Sequence, residues 1–139
     1  MRPSSFVCAL AVVLASGCLF QNIGAAERLN DAVWGLNDDA RWGMVPAAAE
    51  RVQPRYKRRF MLSRRGWGRA VQIADTEISR VDLADDEKKA VSWIAVRWYT
   101  EDTMELRETF LRQSWLRDGR DFVLVSERVV AGDPHLLVR

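Results

Sequence analysis

The chain has 139 residues, of which 21 are basic and 19 acidic, giving a formal net charge of +2. A balance this near neutral gives no support for nucleic-acid binding. A single histidine, His135, and two cysteines leave Cys/His metal sites and Ser-His or Cys-His nucleophilic arrangements without their parts. No GxGxxG, P-loop, CxxC or HExxH motif occurs, so no cofactor or metal is expected and no catalytic residue is assigned.

Arg2 is the one charged residue before position 27, and an apolar run over residues 6–15 follows it. As a helix that run spans roughly 15 Å, about half the hydrocarbon thickness of a bilayer. A charged start, a short apolar stretch and then small residues form the layout of a secretory signal peptide. The segment Leu14-Ala15-Ser16-Gly17-Cys18 resembles the bacterial lipobox, in which small residues precede the cysteine that becomes the mature N-terminus. The resemblance implies cleavage before Cys18, a thioether-linked diacylglycerol there, and usually a third acyl chain. Because Leu19 rather than Asp follows, it also implies sorting to the outer membrane of a Gram-negative envelope. Cysteine usage agrees: Cys8 falls in the discarded segment, and acylation removes the lone thiol that an oxidising compartment would make a liability. Two or three acyl chains hold firmly where one binds only marginally. Cleavage after Gly24-Ala25-Ala26, leaving a periplasmic or secreted protein, is the alternative. The expected organisation is a signal peptide over 1–17, a lipidated tether over 18–26 and one domain over 27–139, an ordinary length for a single core.

From Glu27 the apolar spacing is helical, with Leu29, Val33 and Leu36 at i, i+4 and i+7. Trp42-Gly43 loosens it, and Pro46 and Pro54 each mark a helix start, because proline at the first position loses no hydrogen bond. Two further short helices are predicted, about 46–52 and 54–64. In the second, Tyr56 and Phe60 pair at i, i+4 as core residues. Eight basic residues and no acid lie between Arg51 and Arg69. Arg55, Lys57, Arg58 and Arg59 are the candidates for contact with anionic lipid head groups; a solvated basic face is the plain alternative.

After Gly68 the period becomes two. A strand starts at Val71, slips phase around 75–78 as a bulge would require, and resumes at Val81 and Leu83. Residues 85–88 form a polar turn. The next strand, 90–99, is apolar on both faces and is expected to be central and covered on both sides. A third strand is predicted over 104–116 and a fourth over 121–130, joined at Asp118-Gly119, a strong hairpin signal whose loop length is left open at two or three residues. The tail after Gly132-Asp133-Pro134 reads as a turn and a short edge segment, with His135 exposed. Helices first and then a long antiparallel meander is the α+β pattern. The helix-to-strand order, the segment Arg97-Trp98-Tyr99 and the closing hairpin over 113–127 resemble the nuclear-transport-factor-2-like (cystatin-like cone) superfamily. The resemblance implies N-terminal helices packed on a curved four-stranded antiparallel sheet, cone-like, and it carries over no catalytic position.

Arg107, Gln113 and Glu127 interrupt otherwise apolar strands and are the candidates for polar groups facing a cavity; a satisfied structural network is the alternative. The leading functional expectation is a non-catalytic, lipid-anchored envelope protein that engages another envelope protein, by strand addition for example, with the membrane held through its anchor and no nucleic acid involved. A small-ligand-binding cone is the second expectation. An isomerase- or dehydratase-like enzyme is a distant third.

Overall fold

The computed structural model describes residues 24–137; the signal segment and Cys18 lie outside the described residues. Three helices precede the sheet: α1 (Ala25–Arg41), α2 (Val45–Ala48), which passes into a single 3-10 turn (Ala49–Arg51), and α3 (Pro54–Ser63). Helix α1 begins two residues earlier than its spacing predicts, with Ala25 packed against the core and the Arg28 amide donating to Gly24 O at 3.1 Å. Leu29, Val33, Leu36 and Ala40 form its buried stripe. Pro46 and Pro54 sit in the first turns of α2 and α3, where the missing N–H costs nothing.

The four strands are β1 (Val71–Leu83), β2 (Lys89–Thr100), β3 (Arg107–Asp118) and β4 (Asp121–Gly132), antiparallel and in sequence order. The sheet is not closed: β1 and β4 are its edges. At Leu124 the β4 edge is met by the segment before α3, with the Gln53 amide donating to Leu124 O at 2.9 Å. The molecule is therefore α+β, with the helices packed on the four-stranded sheet as the element order predicts.

Ala90, Ser92, Ile94, Val96 and Trp98 of β2 and Thr109, Leu111, Gln113 and Trp115 of β3 turn to the helices and are buried. The opposite face of β2 is only partly covered, which corrects the expectation of a strand buried on both sides. Trp93 explains the misreading: it lies half-buried on that outer face beneath the guanidiniums of Arg80 and Arg112, 5.0 and 6.0 Å from its ring centre. Cation–π cover of this kind lets a large aromatic stand on a wet face.

Strand β1 carries two register shifts against β2, between Ile73 and Asp75 and between Ile78 and Arg80, where the sequence suggested one. Strand β3 starts at Arg107, not at 104, because Met104 takes a φ of 54° and breaks the extended run. Asp118 pairs with Asp121, so the hairpin loop has two residues, and Gly119 supplies the positive φ it needs. After β4 the chain forms a 3-10 turn (Pro134–Leu136) that buries Leu136 to 1% exposure, with Trp67 Nε1 reaching Leu136 O at 3.4 Å. The tail is thus part of the core, more than the edge segment expected.

One close approach fixes how the helical half meets the sheet. Gly43, just past α1, and Gly68, just before β1, both have φ of +75°, and a Cβ on either would lie 2.9 Å from the Cα of the other. Only paired glycines allow that contact.

Candidate functional site

A polar chain runs through the core beneath α1 and α3. Helix α1 contributes Asn37, a polar residue on the buried stripe. Its Nδ2 donates to Val33 O at 2.8 Å and to Gln113 Oε1 at 3.0 Å. Gln113 Nε2 donates back to Asn37 Oδ1 and onward to Glu127 Oε2, both at 3.0 Å. Ser92 Oγ donates to Gln113 Oε1 at 3.1 Å and accepts from Trp115 Nε1 at 2.9 Å. At the end of α3, Arg64 Nη2 donates to Glu127 Oε2 at 2.6 Å, and the two side chains are 1% and 0% exposed. The Arg64 guanidinium lies against the rings of Phe60 and Trp67, 3.9 and 4.8 Å from their centres. Removing two charges from water is costly, and such a pair persists because further hydrogen bonds and ring contacts surround it. Glu127 Oε1 and Arg64 Nε are buried with no hydrogen-bond partner in the structure.

Beside this network a pocket of about 680 Å3 opens between α3 and the later half of β4, bordered by the tail at Pro134 and Leu137. Its volume falls in the range of small-molecule sites. Leu62, Val129, Pro134 and Leu137 give it apolar walls, while Arg55, Arg58 and Arg59 of α3 and Arg128 of β4 stand around it. Tyr56 and Ser63 are its neutral polar lining. Burial pushes the Tyr56 phenol above its ordinary value, and the Glu127 charge adds to the rise; Arg64, Arg59 and the Glu127 backbone pull against it. The phenol is therefore a neutral hydroxyl at physiological pH.

Of the residues singled out from sequence, Gln113 and Glu127 come together, and Glu127 also borders the pocket. Arg107 does not join them: it pairs with Asp133 at 3.5 Å and lies 5.3 Å from the Trp98 ring centre. Strand β3 places Arg107 at its first residue and Gln113 six positions on, so the two cannot share one site. Arg55, Arg58 and Arg59 surround a concavity, whereas Lys57 turns away to Glu50 at 3.2 Å. Two other members of the basic run are also diverted, Arg51 to Asp39 at 2.7 Å and Arg64 into the core. Tyr56 faces the pocket while Phe60 is fully buried. His135 is exposed, its Nδ1 2.8 Å from Asp133 Oδ1. Asn37 and Arg64 escaped sequence reasoning. The signal for Asn37 was present, since it falls four residues after Val33 on the apolar stripe.

No family model and no curated protein matches this chain. Among solved structures, the intermembrane space region of the chloroplast protein ARC6 superposes on it. The TM-score is 0.40 and the identity 11%, over 77% of this chain and 92% of that one. A likeness this slight sets no function. Among the described residues no group of three or more His, Cys, Asp or Glu is placed to hold a metal ion, and no helix is long and apolar enough to cross a membrane.

Proposed function

We propose that this protein is a non-catalytic, lipid-anchored envelope domain that binds a small ligand in the pocket between α3 and β4. The observation that carries the reading is the pocket itself: apolar walls, a few polar groups, and a rigid hydrogen-bonded network behind it. Chemistry on the bound molecule is not part of the proposal. Glu127, the one carboxylate at the pocket, is fully buried and engaged by Arg64 and Gln113, which leaves it a poor general base.

The proposal includes the anchor at Cys18 and an outer-membrane location. Ala25 supports a cut upstream of it, because this residue lies in the first turn of α1 and packs against the core. Cleavage after Ala26 would remove Ala25 and Ala26 from that turn. It includes, too, a cone-like sheet of the nuclear-transport-factor-2-like kind, which the helix order, the four-stranded meander and the register shifts in β1 and β4 support.

A second reading, engagement of an envelope protein, is favoured by β1, which offers a 13-residue edge with a strand on one side only. Added strands use such edges.

Mass spectrometry of the protein released gently from envelopes in a neutral detergent separates these readings. The denatured mass should equal the chain from Cys18 onward plus its acyl groups, and Cys18→Ser should abolish that species. Under native conditions a small molecule should add to this mass and disappear on denaturation. A bare chain in both spectra would remove the ligand reading, and an unmodified chain from Glu27 would remove the anchor.

A further inference from the structure

The charges around the pocket narrow what it takes. Arg41, Arg51, Arg97, Arg107 and Arg117 each reach a carboxylate within 4 Å. Others, Arg65, Arg69, Arg112 and Arg120 among them, reach none among the described residues, and the cations at the pocket are of this second kind. Among the described residues Arg58, Arg59 and Arg128 make no ion pair, and Arg55 reaches only the side chain of Gln53, at 2.9 Å. Arg55, Arg58 and Arg59 lie at i, i+3 and i+4 on α3 and stand along one concavity, while Arg128 borders it from β4, in register with Arg112. Glu127, the one carboxylate at the pocket, is already matched by the buried Arg64, whose Nη2 lies 2.6 Å from its Oε2, so the outer cations lack a countercharge of their own.

Resting on the ligand-binding reading above, we infer that the ligand is an anionic amphiphile. Its phosphate or carboxylate head would lie among Arg55, Arg58 and Arg59, and its apolar tail along Leu62, Val129, Pro134 and Leu137. Convergent guanidiniums suit an oxyanion because their planar forks donate paired hydrogen bonds to it. The Tyr56 hydroxyl adds a neutral donor within the same cavity. A free inorganic anion would satisfy the arginines but leave the apolar wall wet, and Leu62 is already 52% exposed without a ligand. A neutral lipid would cover that wall and leave the cations unmatched. Only a molecule with both parts uses both features.

The test is calorimetric titration of the full-length chain carrying Cys18→Ser with three probes: dodecyl phosphate below its micelle concentration, dodecyl maltoside, and inorganic phosphate. Dodecyl phosphate should bind at least about tenfold more tightly than either of the others. Arg55→Gln and Arg59→Gln should each weaken it by about tenfold, and Leu62→Gln by a few-fold. All three side chains are at the surface of the cavity, so the variants should fold, as their melting curves will verify. Equal binding of dodecyl maltoside would overturn the anionic head while leaving the pocket a ligand site. Inorganic phosphate binding as tightly as dodecyl phosphate would overturn the tail. Binding that survives both arginine changes would place the amphiphile elsewhere and overturn the assignment. If none of the three probes binds, the inference fails together with the ligand-binding reading.

Discussion

Removing the Glu127 carboxylate would leave the Arg64 guanidinium buried between two aromatic rings with no countercharge. Glu127→Gln should therefore cost about 3–5 kcal/mol of stability, the range for breaking a buried ion pair from one side. The paired change Glu127→Leu with Arg64→Met should cost less than Glu127→Leu or Arg64→Met alone, because neither partner is then stranded. Urea melts followed by tryptophan fluorescence would measure all four states of this cycle. Costs that simply add would show that the two side chains are not coupled. The contact with Gln113 makes the outcome relevant to the pocket. Asn37, Gln113 and Glu127 link α1, β3 and β4 in one network, and loosening it should loosen the β4 wall of the pocket at Val129.

At the scale of elements, the tail is the part whose behaviour should depend most on pH. The backbone N–H of His135 donates to Asp133 Oδ1 at 2.8 Å and holds this carboxyl below the usual carboxylate range, against the opposing effect of burial. A carboxyl whose folded value is depressed contributes stability above its unfolded value of about 3.9, and that contribution is lost as pH falls through the folded value. Acidification below about pH 4 should therefore loosen the turn that carries Pro134 and Leu137 at the pocket. Asp133→Asn should flatten that part of the acid limb when amide exchange of the tail is followed. An unchanged acid limb in the variant would contradict the assignment.

The same elements show what the sequence made legible. Periodicity located α1, α3 and all four strands, since a stripe at i, i+4, i+7 or an alternation of two is dictated by which face must be buried. It could not tell that the outer face of β2 is covered by arginines in place of a second layer, because a tryptophan beneath guanidiniums reads like a tryptophan in a core. Leu136 was missed because a buried tail residue carries no period. At the candidate site Glu127 and Gln113 were legible as polar interruptions of apolar strands. Arg64 looked like one more member of a basic run, since charge counting does not reveal which cation a fold takes inside. That Arg55, Arg58 and Arg59 border a cavity with Arg128, and not a flat plane, depends on β4 lying beside α3, a contact between segments more than 60 residues apart.

For the molecule as a whole, the proposed function joins an acyl anchor upstream of α1 in sequence to the cationic, apolar-walled pocket on the α3 side of the sheet. Helix α1, 17 residues long, spans about 25 Å, and the Gly43–Gly68 contact lies just past its end. The competing account puts the partner along the free edge of β1, which belongs to the far side of the sheet from β4. Amide chemical shifts of the full-length Cys18→Ser chain, recorded by NMR while envelope lipid extract is titrated in, distinguish the two most directly. The central claim predicts shifts confined to α3, the later half of β4 and residues 134–137, with Tyr56, Arg59 and Val129 among the largest. Shifts along β1, or none in α3 and β4, would contradict it.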